Sequence, residues 1–156
     1  MPEELGGPYV QIAAFCQTAL AEGPGAGAAG AVSIIRILDR IGVPEPREGT
    51  PGSLVQVTLV IILKSGFFKG RATVTIRPRT PGEQKLPPIQ LPFLFEGEER
   101  GVQVVLPMAI MLQEEGLYWF EVSLEDSGTA QLMTQVPLRV LFQAPMQQPL
   151  VSPPRQ

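Results

Sequence analysis

Alternation of apolar and polar residues with period two limits this chain more than any other feature, because it recurs in segment after segment. In Gly70 to Arg79, Ala72, Val74 and Ile76 share one face, while Arg71, Thr73, Thr75 and Arg77 share the other. In Leu54 to Lys64, Val55, Val57, Leu59, Ile61 and Leu63 line one face. Val60 and Ile62 make its second face partly apolar too, as in a strand covered on both sides or one that meets a partner. Gly116 opens a further strand, with Tyr118, Phe120, Val122 and Leu124 on one side and Trp119, Glu121, Ser123 and Glu125 on the other. Glu125 to Gly128 is a turn, and Gln131 to Phe142 returns as the partner strand, where Pro137 demands an edge or a bulge. Long helices are opposed by 17 Pro and 16 Gly, which favour short elements joined by turns.

Between these strands the punctuation is dense. Lys64 to Gly70 reads as a turn that makes a hairpin of its two neighbours. Arg79 to Pro88 is a loop, and Ile89 to Glu96 an extended edge, since Pro92 cannot donate to a ladder. Glu98 to Gly101 reads as a tight turn before the alternating Val102, Val104 and Leu106, and Pro107 to Leu112 as an irregular segment crossing one end of the core. The first fifty residues stay open on spacing alone. Ile12, Phe15, Cys16, Ala19 and Leu20, like Ile34, Ile37, Leu38 and Ile41, fit helical spacing, yet β-branched residues crowd the second group and strands are equally allowed. The organisation expected is a flexible N-terminus over 1–8, a single domain over 9–142, and a proline-rich tail over 143–156 that is disordered or polyproline-like.

The composition removes whole classes of chemistry. His is absent and Cys occurs once, at Cys16, so Cys/His metal sites, Ser-His or Cys-His nucleophiles and histidine switches have no residues to work with. No internal disulfide is possible, no cofactor is expected, and the opening Met-Pro-Glu-Glu-Leu lacks the positive start of a secretory signal. The longest apolar stretches, Leu54 to Leu63 and Val104 to Leu112, are too short to span a bilayer, so a cytoplasmic location without membrane insertion is expected.

The net charge of −3 hides a separation along the chain. Lys64 to Lys85 holds six basic residues against Glu83 alone, whereas Glu96 to Asp126 holds eight acids against Arg100 alone. One reading is a basic strip (Lys69, Arg71, Arg77, Arg79) that receives an anion or an acidic partner. The preferred reading is that the two segments lie side by side and neutralise each other across strands.

The remaining candidates are weighed on local grounds. Glu96, Glu98 and Glu99 lack the Asp/Asn/Gly spacing of a calcium loop and read as a solvated turn. Gly25 to Gly30 has the glycine spacing of a dinucleotide fingerprint without its acidic partner or βαβ setting. Asp39, between Ile37 and Ile41, reads as a semi-buried carboxylate that fixes a strand end. Cys16 reads as an inert buried thiol, and Trp119 as an aromatic covered by another element or marking a contact surface.

Two sets of residues carry a resemblance. The N-terminal pair around Tyr9 to Leu20 and Val32 to Ile41, with the closing Gly116-Leu-Tyr-Trp-Phe120 and Val136-Pro-Leu-Arg-Val140, resembles a family of bacterial proteins of unknown function over roughly 9 to 142. That likeness implies an all-β, immunoglobulin-like β-sandwich of about seven to eight mostly antiparallel strands, with the N-terminal pair as strands, and it implies no activity. Glu114-x-Gly116-x-Tyr118-x-Phe120 also resembles the tyrosine corner of such domains, where a tyrosine hydroxyl bonds back to the preceding corner. Gly116, Tyr118 and Phe120 are therefore structural residues. The expected function is a non-enzymatic binding or assembly module that meets a protein partner or its own copy through a sheet face or edge, with neither nucleic acid nor a small-molecule substrate identified. The alternative is an anion-binding accessory domain that uses the basic strip.

Overall fold

β-branched and aromatic residues dominate the alternating segments, and all of them are strands in the computed structural model, which describes residues 6–21 and 31–144. Seven strands follow in order: β1 (Tyr9–Ala21), β2 (Val32–Leu38), β3 (Arg40–Pro44), β4 (Ser53–Arg79), β5 (Ile89–Leu112), β6 (Gly116–Asp126) and β7 (Thr129–Gln143). There is no helix among the described residues. The N-terminal pair is two strands, as the resemblance implied. Residues 1–5 of the proposed 1–8 segment, the Gly25 to Gly30 loop and most of the proline-rich tail lie outside the described residues, and β7 runs one residue further than the expected domain end.

The strands form one mixed sheet in the order β2-β1-β4-β6-β7-β3, with β5 paired along β4. Every pairing is antiparallel except that of β3 with β7. β4 organises the whole. Its first half, Thr58 to Lys64, pairs with β1, its second half, Thr73 to Arg79, pairs with β6, and β5 follows it along the opposite edge through both halves. Because β1 and β6 use the same edge of β4 at different heights, a bend between them curls the sheet into a half-barrel. Phe15 of β1 thereby meets Phe120 of β6 edge-to-face, with ring centroids 4.7 Å apart.

That bend corrects three expectations. Leu54–Lys64 and Gly70–Arg79 are not a hairpin but the two halves of β4, Glu98 to Gly101 is not a turn but part of β5, and Pro107 to Leu112 is regular strand. Positive φ at Gly66, Gly70, Gly97 and Glu98 bends the two strands together through bulges, with register shifts at Lys64/Gly66 and Gly66/Lys69. The same residue types make turns and bulges, so local composition does not separate reversal from bending. The expected edge positions do hold. Pro92 lies in β5, which pairs only with β4, and Pro137 lies just before the stretch of β7 that β3 covers.

The main core gathers Phe15, Leu59, Ile61, Leu63, Val74, Ile76, Phe95, Tyr118, Phe120 and Leu138 inside the curl. Burying each such side chain contributes about 1.5–3 kcal/mol. A second, smaller cluster lies on the outer face of the first half, where Cys16, Val60 and Ile62 are covered by Ile12, Ala19, Val32 and Ile34. The apolar second face of β4 is thus explained by the β1–β2 hairpin packing on it.

Candidate functional site

The basic strip does not stand free. β4 lies between the acids of β5 and those of β6, and cross-strand neighbours pair: Arg77 reaches Glu125 at 3.4 Å and Arg79 reaches Glu121 at 3.2 Å. Lys69 is opposite Glu96, whose carboxylate is held by Arg100 at 3.1 Å. Arg71 is exposed beside Pro92, Leu94 and Glu125. Side-by-side neutralisation, the preferred reading of the charge split, is therefore the arrangement found for Arg77 and Arg79. The Arg77–Glu125 pair spans Thr75 and Ser123 in register, and the Thr75 hydroxyl is buried without a hydrogen-bond partner.

Trp119 is half-buried on the outer face of β6, opposite Arg79 on one neighbour and Pro137 on the other. Asp39 departs from expectation. It stands at the break between β2 and β3 with a side chain 85% exposed and 3.7 Å from Arg40. Its backbone carbonyl accepts from Arg139 N–H at 3.1 Å, so the main chain, not the carboxylate, secures the crossover. Sequence alternation placed Asp39 on an apolar face, but the strand breaks there as the chain changes partner from β1 to β7, and alternation lapses at the break.

The corner motif forms as its residues suggested. Tyr118, 2% exposed, donates its hydroxyl to the Glu114 carbonyl at 2.8 Å. Burial pushes that hydroxyl's pKa up, with the nearby Glu114 charge adding to the rise and backbone hydrogen bonds from Glu114 and Gln113 opposing it. Gly116, at φ +130°, sits where a side chain would run into Pro81 Cβ at 2.9 Å. Cys16 is fully buried, and its thiol is likewise pushed up by burial, against a smaller lowering by the Thr18 backbone.

Three of the exposed large aliphatic side chains lie on the β1–β2 hairpin, while Leu54, Leu94, Leu132 and Leu141 are spread over β4, β5 and β7. Leu20, Ile35 and Ile37 are 59%, 45% and 67% exposed. The register sets Thr18 against Ile35 and Leu20 against Ser33, so Leu20 and Ile35 share the face opposite the Ala19, Val32 and Ile34 side chains that pack downward. Arg36, at φ +56°, interrupts the strand between Ile35 and Ile37. In the sequence Leu20 and Ile37 carry only a helix-or-strand spacing and Ile35 carries no signal, because exposure of an apolar side chain is decided by tertiary packing.

A cleft at one end of the half-barrel was not foreseen. It measures about 410 Å³ and lies among the β4–β5 loop, the end of β5 and the start of β6. Among the described residues there is no cluster of three or more potential metal ligands, and no helix long and apolar enough to cross a membrane. Protein-family models give no match to the chain, and curated proteins give none either.

Proposed function

We propose that this protein is a non-enzymatic assembly module that associates with a second copy of itself through the apolar outer face of its β1–β2 hairpin. The observation that carries the reading is the exposure of Leu20, Ile35 and Ile37 on that one hairpin. A face is favoured over an edge because each open edge is blunted. β5 carries Pro92 and Pro107, β2 is interrupted by left-handed Arg36, and β3 is five residues long and ends in Pro44. A second copy is favoured because an apolar patch pairs with its own image about a two-fold axis without needing charge complementarity, and Arg36 is the sole charge within β2.

We also read the curled sheet as an immunoglobulin-like sandwich of the kind the resemblance implies. Supporting that reading are the Tyr118–Glu114 corner and the contact of Phe15 with Phe120 between the two halves. The alternative, an anion site on the basic strip, is opposed by the ion pairs that already occupy Arg77 and Arg79. The two readings differ in salt response. Apolar association persists or strengthens as salt rises, whereas an anion site weakens steeply. Sedimentation over a range of protein concentrations at low and high salt should give a concentration-dependent dimer that survives high salt. A monomer at every concentration would overturn the assembly reading.

A further inference from the structure

The cleft at the end of the half-barrel has fixed walls. The Thr80 and Leu86 N–H groups donate to the Gln84 and Pro78 carbonyls, both at 3.0 Å, and so close the β4–β5 loop on itself. The Gly82 N–H then donates to Glu114 Oε1 at 3.3 Å, and Pro81 lies against Gly116, so the loop is docked on the start of β6. Leu86, Pro87, Met108, Ile110, Met111 and Phe120 supply apolar lining. Thr80, Gln84, Gln113 and Glu114 are polar members of the lining, Tyr118 has its hydroxyl on the Glu114 carbonyl, and among the described residues Glu114 is the only charged one of the lining. A carboxylate has about four acceptor positions, and the Gly82 N–H uses one of them.

We infer that this cleft binds a small aliphatic ammonium ion, its apolar chain among Met108, Ile110, Met111 and Leu86 and its cationic head on the Glu114 carboxylate. The volume is that of a small-molecule site, and the paired methionines adapt to an unbranched chain. The lone carboxylate sets the sign, because an anion of the same shape would be desolvated against a like charge. The inference goes beyond the self-assembly reading and uses different residues, so either can fail without the other.

The test follows the methionine methyl resonances of the full chain by NMR while octylamine, octanoate or octanol is added at pH 7. Octylamine should shift the Met108 and Met111 signals saturably, with octanoate binding about tenfold more weakly. Glu114→Gln should bring the two within about twofold of each other and leave octanol unchanged, since only the charge is removed. Met111→Trp, at an exposed position on the rim, should block all three. No saturable shift at these methyls would overturn the inference, as would octanoate binding as tightly as octylamine or an undiminished preference in Glu114→Gln. Should Glu114→Gln melt early, the wild-type ratio of octylamine to octanoate still decides.

Discussion

At the scale of single residues, the chain separates side chains that hold the fold from those that only occupy it. Tyr118→Phe removes the hydroxyl that satisfies the Glu114 carbonyl and should cost about 1–2 kcal/mol in thermal or denaturant unfolding. The pH dependence has a definite sign. Burial raises the Tyr118 and Cys16 values in the folded chain, so the stability linked to them is fully present below their ordinary values and is lost as pH rises through the folded ones. Melting temperature should therefore fall at alkaline pH, and less steeply in Tyr118→Phe. Gly116→Ala should cost about 1–3 kcal/mol through strain and the clash with Pro81, whereas Asp39→Ala should stay within about 0.5 kcal/mol because its carboxylate is solvated. A large loss in Asp39→Ala would restore the structural role that sequence position suggested. Tyr118, Gly116 and Phe120 were legible because the corner is a local pattern, contained between Glu114 and Phe120. Asp39 was misread because its exposure depends on where β2 ends.

Among elements, β4 and the β1–β2 hairpin do most of the work. The alternation in β4 was legible almost residue by residue, including the second apolar face at Val60 and Ile62. What it concealed was connection: Gly66 and Gly70 have turn composition, yet they bend one long strand, because a continuous β5 pairs with it on both sides of the bend. The hairpin makes a separate prediction. β1 pairs with β4 only as far as Cys16, and beyond that point its described partner is β2, so the outer part is a two-stranded ribbon held by Ala19, Val32 and Ile34. Two-stranded ribbons are marginal by themselves. A thiol reagent should therefore reach Cys16 through opening of this ribbon, faster than global unfolding permits and with a weaker denaturant dependence. Labelling that tracks global unfolding in rate and denaturant slope would contradict this.

For the molecule as a whole, the outer surfaces of the two halves differ in kind. The half built on β4, β6 and β7 presents Arg77, Arg79, Glu121 and Glu125 in mutual ion pairs beside the exposed Leu132 and Leu141, while the half built on β1 and β2 presents Leu20, Ile35 and Ile37 with Arg36 as the sole charge of β2. The separation of charge along the sequence was visible; its resolution by pairing was the preferred of two readings, and the structure shows it for Arg77 and Arg79. The cleft was not visible, because its walls come from two separate stretches, Pro78 to Pro87 and Met108 to Phe120, that only the fold brings together. The apolar hairpin face is the feature on which the functional reading depends. The direct measurement is the solution mass of the wild type beside Ile35→Lys/Ile37→Lys at matched concentration and high salt, with thermal melts to show that both chains are folded. A wild-type dimer and a folded, monomeric variant are predicted. A wild type that stays monomeric, or a variant that dimerises equally well, would contradict the account.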